Sequence, residues 1–589
     1  MSQLHSSRSP DLEAEKSHHH LHHHSHDNNH NGDYYQERDA AAQGDQDQGL
    51  AHVGVETSPE TSLHRGLRAR HITMLAIGGA LGTGLIVGTG KGLAQAGPGS
   101  LFIAFTFVGL IVFIVLAGIG EMAAWLPLSS GFTGYASRYC HPSLGFALGW
   151  SYLMKYLIVT PNQLTAASLV FQFWVPRERL NPGVLVAIFL VAIFCINYFG
   201  GITFFGEFEF WLSSFKVIVV LGIILFSLIL ACGGGPSGDR PGFRYWNDPG
   251  AFARLYAPGA VGRWVGFWSV MTLATFAYLG VELCAVTAAE AQNPRRSVPK
   301  AIKLTFYRIL VFYCLSVLLV GLLVPYNSEK LAFAANSGSS SASASPFVVA
   351  AEIAGVKVLP HIINACICIF VFSAANSDLY IGSRTLYGLA SDGAAPAIFK
   401  RVDSRGVPYP ALLFCTLFAC LAFLVVSDDS RQIFNYFVNV TTVFGLLVWS
   451  SLLVAYIAFL RARRVQSIPD SAMPYVAPQG LWGSYGALFF CVLITLTKNF
   501  TVFIKHDNSG FQYKDFITGY IGIPVYLGLL FGHMAVTGSR GIRPSEVDFF
   551  TGKDHVDADE KAFLERQAEK RAASKGWARF YNRYVAWLF

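Results

Sequence analysis

A chain of 589 residues that is 53% hydrophobic, 14% charged and +7 in net charge gathers its apolar residues into long runs bounded by charge clusters. Several runs reach about 20 residues, enough to cross the hydrocarbon core of a bilayer. The basic residues lie in tails and loops without a stripe for nucleic acid, and the ten cysteines sit almost wholly in apolar runs, so neither a zinc site nor a disulfide framework is indicated.

Residues 1–67 are polar and of low complexity, which predicts a disordered His-rich tail. Its run from His18 to His26 could hold a metal loosely; no metal or other cofactor is expected elsewhere. The polar opening shows no signal-peptide pattern, so the first membrane helix is expected to direct insertion. Residues 68–537 form the expected membrane domain of twelve helices: Thr73–Ala96, Pro98–Trp125, Leu144–Trp174, Val184–Gly201, Phe208–Cys232, Trp264–Ala291, Lys303–Pro325, Val358–Ala390, Tyr409–Ser427, Phe434–Leu460, Tyr485–Ile504 and Ile517–Thr537. Two long loops interrupt them, Gly233–Gly262 and Asn327–Lys357. Residues 538–589 form a C-terminal tail with a charged helical pattern around Asp559–Lys575 and an aromatic-basic end, WARFYNRYVAWLF, suited to a membrane interface. An even helix count puts both ends on one side. Arg65, Arg68 and Arg70, with the clusters Arg295/Arg296/Lys300, Lys400/Arg401/Arg405 and Arg461/Arg463/Arg464, make that side cytoplasmic.

The first helix contains IGGALGTGLIVGTGKG, Ile77–Gly92. Each glycine inside a helix costs roughly 1 kcal/mol relative to alanine, and an unpaired backbone group in lipid costs several more. Gly82-Thr83-Gly84 is therefore read as the break in a discontinuous helix that lines a binding site. A phosphate-loop reading fails, because Lys91 is followed by Gly92 and no strand precedes it. The sixth helix supplies a second candidate break, Thr275-Phe276-Ala277-Tyr278-Leu279-Gly280-Val281-Glu282. Breaks five helices apart are the spacing of two five-helix inverted repeats, and half-helix ends offer amides to an anionic group and carbonyls to a cation. A zwitterionic amino acid presents both. Other small zwitterions fit as well, and the glycines could instead serve close helix packing.

Lys216 lies about 12 Å into the fifth helix and Lys155 about 16 Å into the third, at about 1.5 Å per residue. A lysine at that depth is desolvated, so Lys216 could load and release a proton; alternatively it snorkels to the interface. Lys155 needs a partner, either an acidic residue such as Glu282 or a substrate carboxylate. Glu121 reads as a structural or inner-gate carboxylate with a possible proton role, Asp378 as a structural partner of Arg384, and Glu207 and Glu209 as loop or interface charges.

The order GTGLIVGTGKGL, GEMAAWLPLSSGFTGYASRY, GEFEFWLSSFKV, AEAQNPRRSVPKAI and SAANSDLYIGSRTLYGLA resembles fungal amino acid permeases of the amino acid–polyamine–organocation superfamily. The stretches GWSYLMKYLIVTPNQLTAASLVFQFW and NYFVNVTTVFGLLVW look most like the dicarboxylic amino acid permease branch. The resemblance implies an all-α membrane protein with the five-plus-five (LeuT-like) fold and proton-coupled amino acid import across the plasma membrane. It implies that Gly82, Thr83 and Gly84 contact the substrate carboxylate, that Thr275, Phe276, Ala277 and Gly280 contact the amino group, and that Glu282 helps close the site. Lys216 matches the lysine that stands in a sodium ion's place in proton-coupled relatives, with Ser373 and Ser377 as its expected neighbours. Relatives carrying basic amino acids have a carboxylate further along the third helix, where this chain has Gln163; with Lys155 this favours acidic substrates. A neutral or broad-range permease, and a sensor of the same fold, remain as alternatives. A membrane enzyme would need a nucleophile–base pair or ligand cluster that the apolar runs do not offer. Tail lysines could accept ubiquitin for trafficking.

Overall fold

The computed structural model of the protein describes residues 82–128, 131–236, 238–282, 294–331, 345–427, 430–504 and 511–573. The His-rich tail, the expected start of the first helix, the last third of the sixth and the aromatic-basic C-terminal end lie outside them. Every regular element described is helical. A π-helical turn, Gly84–Gly88, runs into α1 (Thr89–Trp125). Then come α2 (Gly131–Tyr139), α3 (Pro142–Phe171), α4 (Pro182–Phe199), α5 (Gly201–Ala231) and α6 (Gly259–Tyr278). After α6 follow α7 (Pro294–Arg308), a π-helical stretch Ile309–Leu315, α8 (Ser316–Leu323), α9 (Pro346–Ile353) and α10 (Leu359–Ser391). The chain ends with α11 (Tyr409–Ala419), α12 (Ser430–Val465), α13 (Gly480–Thr497), α14 (Tyr513–Tyr520), α15 (Gly522–Thr537) and α16 (Lys553–Ala573).

Among the described residues nine helical segments are long and apolar enough to cross a membrane, where the sequence suggested twelve spans. Two physical features account for the difference. The first segment, Gly84–Trp125, contains two expected helices, turned at Gly97. Gly97 has φ +81°, and a Cβ there would lie 2.8 Å from the carbonyl oxygen of Ala251, so the corner requires glycine. In addition, α3 and α6, expected as the third and sixth spans, are absent from the nine. Both carry the Gly, Thr, Ser and charged residues that a polar interior needs, which lowers their hydropathy.

Local chemistry sets the helix starts. His141 Nδ1 accepts from Ser143 N at 3.0 Å ahead of α3, and Asn181 Oδ1 accepts from Gly183 N at 2.9 Å ahead of α4. In both, proline occupies the first turn, where its missing N–H is not needed. The centre belongs to α3, which packs against α10 and α12. Leu153, Leu157 and Leu164 of α3 bury themselves with Ile193 of α4, Leu379 and Leu386 of α10 and Leu412 of α11. Helices at the rim, by contrast, expose large apolar side chains such as Trp211, Ile218 and Leu225 on α5 and Phe531 on α15. An apolar exterior around a polar interior is what a lipid solvent selects.

The chain beyond α15 turns back. After Gly538, which ends α15 at φ +61°, residues 540–552 run along the ends of α1, α2 and α12. Phe549 is buried against Tyr139 and Phe459, and its carbonyl accepts from Trp125 Nε1 at 2.9 Å. Arg138 of α2 donates to Asp548 Oδ2 at 2.8 Å and to the carbonyls of Asp548 and Thr551. Further on, α16 places Asp557 and Glu560 against Arg295. Burial pushes the Asp548 carboxyl up, but the Thr551 and Phe550 amides and the Arg138 guanidinium outweigh it and hold the group below the ordinary aspartate value. A depressed carboxylate contributes stability above its unfolded value that is lost as pH falls through the folded one. Hydrogen-exchange protection of the Phe550 and Thr551 amides, both bonded to Asp548 Oδ1, is therefore expected to hold from neutral pH down to about 4 and to fall below it.

Candidate functional site

α6 ends inside the stretch that the sequence marks as a second break, and residues 283–293 beyond it lie outside the described chain. α6 stops at Tyr278; Leu279 is extended (φ −62°, ψ 142°) and Gly280 turns the chain with φ +93°. The amides of Leu279 and Val281 bond back to Phe276 and Tyr278, so the last turn of α6 gives up the amides a continuing helix would supply to its carbonyls. Opposite it, the helical part of the first span starts at Gly84, with no side-chain cap on its first amides. Thr83 does not cap because its hydroxyl donates to Gln163 Oε1 at 2.8 Å. Residues before Gly82 lie outside the described chain, so the break of the first helix is seen from one side only.

The two interruptions meet at glycine. A Cβ on Gly84 would stand 2.4 Å from Ala277 Cα and 2.9 Å from its nitrogen. One on Gly82 would meet Gln163 Nε2 at 3.8 Å, an ordinary contact. Between the breaks lies a cavity of about 40 Å³, room for about three waters. Its walls are Gly82, Thr83 and Gly84; Lys155, Tyr156, Val159 and Gln163 of α3; Phe276, Ala277, Leu279 and Gly280; and Ala374 and Asp378 of α10.

Lys155 reaches this wall 1% exposed, in ion-pair contact with Glu282, also 1% exposed. Its ammonium lies 4.7 Å and 4.3 Å from the ring centroids of Tyr152 and Tyr156, a partly aromatic cage for a cation. Glu282 is held in turn by Gly280 N at 3.1 Å and Trp449 Nε1 at 3.4 Å. The pair thus ties α3 to the turned-out end of α6.

Four sequence expectations differ from the structure. Glu209 is neither a loop nor an interface charge. α5 begins at Gly201, so Glu209 lies two turns inside it and on the same helical face as Lys216, two turns before it, fully buried at 3.4 Å from the ammonium. Ser373 bonds Glu209 Oε1 at 2.7 Å rather than Lys216 directly, Ser213 adds a contact at 3.3 Å, and the buried Ser377 hydroxyl has no partner among the described residues. Asp378 does not pair with Arg384, whose guanidinium covers the Tyr380 ring at 4.4 Å. It lines the cavity and accepts from Gln163 Nε2 at 3.1 Å. Thr275 does not line the cavity: its hydroxyl donates one turn back to Met271 O at 2.8 Å. Glu121 stands in a separate network, taking Arg463 Nη1 at 2.5 Å, Tyr456 OH at 2.6 Å and Ala477 N at 2.8 Å. Arg463 also pairs with Asp470. None of these partners touches the cavity. Gln163 and Asp378 are the cavity groups that sequence reasoning undervalued.

Comparison with known proteins gives this arrangement a family. The profile of the family described as amino acid permease matches residues 71–540, most of the chain. The chain belongs to the amino acid permease family. A dicarboxylic amino acid permease of Saccharomyces cerevisiae is 52% identical over 90% of this chain and 87% of its own. A basic amino-acid permease of the same yeast is 40% identical over 81% and 82%, and a proline-specific permease of Emericella nidulans 38% over 87% and 92%. In fold the chain resembles a mutant of the Eremococcus coleocola manganese transporter, with TM-score 0.51 and 14% identity, covering 83% of this chain and 99% of that one. The permease is therefore a multi-pass membrane protein with a transporter fold.

For such a permease the glycine geometry carries a graded expectation. Gly84→Ala forces backbone against backbone, an overpacking of about 1–3 kcal/mol, and is expected to cut amino acid uptake more than tenfold. Gly82→Ala, with only ordinary contacts, should cost far less. Uptake normalised to surface abundance checks both.

Proposed function

We propose that this permease imports acidic amino acids, aspartate and glutamate, together with protons across the plasma membrane. The observation that carries the acidic preference is Lys155, a buried cation in the wall of the cavity between the two breaks. The likeness to the yeast dicarboxylic amino acid permease supports the same reading.

In this scheme twelve helices cross the bilayer as two inverted five-helix repeats and a final pair, with both ends of the chain cytoplasmic. The α-carboxylate of the substrate binds the uncapped amides at Thr83 and Gly84, the positive end of a half-helix. The ammonium group binds carbonyls at the interrupted end of α6 and just beyond it, around Phe276, Ala277 and Gly280. The side-chain carboxylate competes with Glu282 for Lys155. The cavity is smaller than an amino acid, so binding requires the α3–α6 tie to loosen, and re-forming of the Lys155–Glu282 pair after the substrate has left resets one gate of alternating access. Lys216, Glu209 and Ser373 bind α5 to α10 beside the site and couple the proton step to it. Glu121, locked to α12 through Arg463 and Tyr456, holds the opposite closure. The docked segment 540–552 belongs to the cytoplasmic tail, the part open to ubiquitin-dependent trafficking.

The test is uptake of labelled aspartate, alanine and arginine into transporter-deficient cells at acidic and neutral pH, with and without an uncoupler. Aspartate uptake should exceed the others, rise at acidic pH and collapse with the uncoupler. Alanine uptake equal to aspartate uptake would make this a broad-range permease, and surface-expressed protein without flux would make it a sensor.

A further inference from the structure

Among the described residues, two of the three carboxylates at the centre of the bundle have a cationic partner. Glu282 pairs with Lys155 and Glu209 with Lys216. Asp378 has neither lysine nor arginine within ion-pair distance among the described residues; its hydrogen-bond partner is the neutral amide of Gln163. It nevertheless faces the cavity, in the middle of the 33-residue helix α10. Gln163 also accepts from Thr83, so two hydrogen bonds lead from the break of the first helix to this carboxylate.

Charged and polar groups face Asp378 from the helices packed against α10. From α3 come Lys155 and the Tyr156 phenol, and from α5 Lys216 and Glu209. α4 contributes the uncharged Asn197, bonded to Asn376 at 2.9 Å. α11 carries no charged side chain. On α10 itself, Arg384 is stacked on Tyr380. With both ion pairs neutral, an ionised Asp378 leaves the described residues of the centre with one uncompensated negative charge.

We propose that Asp378 carries the proton that accompanies the substrate, an inference that rests on the acidic-substrate reading above. Charge balance gives the reason. An acidic amino acid brings a net charge of −1 into a site that already holds −1. Two like charges in a low-dielectric interior repel strongly. Protonation converts the Asp378 carboxylate to a carboxylic acid with one proton from the outer solution. The loaded, protonated centre then has the same net charge as the empty, ionised one. When the substrate leaves on the inner side, the acid returns its proton to the inner solution. The Thr83–Gln163 link lets the two events sense each other, because a carboxylate arriving at the helix-one amides reorients the groups that bond Asp378.

The experiment uses the purified full-length chain in two formats. In weakly buffered detergent solution near neutral pH, addition of aspartate to the wild type should remove about one proton from solution per aspartate bound. Asp378→Asn should bind aspartate without proton uptake, and Asp378→Glu should restore it. In liposomes with an acidic exterior, the wild type should concentrate aspartate, Asp378→Asn should equilibrate it to a ratio of one, and Asp378→Glu should concentrate it again. Proton uptake by Asp378→Asn at the wild-type ratio would overturn the proposal, as would loss of uptake in Asp378→Glu. If Asp378→Asn does not fold, the wild type and Asp378→Glu decide alone, and aspartate binding without proton uptake in the wild type refutes the assignment. A wild-type chain that binds no aspartate would instead overturn the substrate reading.

Discussion

Lys155→Met is expected to lower the surface abundance of the permease and to abolish aspartate uptake. Two effects combine. Glu282 would be left as a buried carboxylate with only amide and indole donors, and breaking a buried ion pair from one side costs about 3–5 kcal/mol. The substrate's side-chain carboxylate would also lose its charged partner, worth about 1.5–3 kcal/mol, or about 10- to 100-fold in uptake. The double variant Lys155→Met with Glu282→Gln separates the two, because it removes both charges together. It should recover abundance while aspartate uptake stays at least tenfold down and alanine uptake falls much less. Equal loss for aspartate and alanine would make the pair structural only. Fluorescence of a tagged chain at the cell surface, measured beside uptake, reads both quantities.

The second large effect belongs to α5. Lys216→Met strands Glu209 in the interior, with Ser213 and Ser373 for company, and the same penalty of about 3–5 kcal/mol should deplete the folded protein. Lys216→Met with Glu209→Gln should restore abundance. Concentrative uptake should remain lost in the double variant, because the pair joins α5 to α10 at the level where Asp378 faces the cavity. Exchange of labelled for unlabelled aspartate should survive better than accumulation. A double variant that accumulates aspartate as well as the wild type would assign the pair to packing alone.

What could be read from the sequence followed from local rules with few solutions. A Gly-rich interruption in an apolar run announces a break, and the turn at Gly280 needs a positive φ that only glycine adopts cheaply. A lysine placed near mid-bilayer by counting from Leu144 demands a partner, and Glu282 was the nearest acidic candidate in the second break. Other features depended on where helices start and which faces meet. Glu209 looked peripheral because the apolar run seems to begin at Phe208, whereas the helix begins two turns earlier at Gly201. Asp378 looked paired along its own helix to Arg384, but an aromatic ring takes that guanidinium and a glutamine from α3 reaches the carboxylate. Thr275 shows the opposite error: a polar side chain beside a break still bonds to its own helix. Periodicity predicts which residues share a face, but pairing across helices is settled by packing. The twelve-helix count met a related difficulty. The helices that carry the site, α3 and α6, are less apolar because they surround polar groups, so hydropathy alone passes over them.

The most direct measurement is a density map of the full-length permease with aspartate bound. The substrate α-carboxylate is expected at the amides of Thr83 and Gly84, its side-chain carboxylate about 3 Å from the Lys155 ammonium, and Glu282 drawn away from that lysine. Aspartate seated elsewhere, or seated between the breaks with the Lys155–Glu282 pair intact and its side chain turned from Lys155, would contradict this expectation.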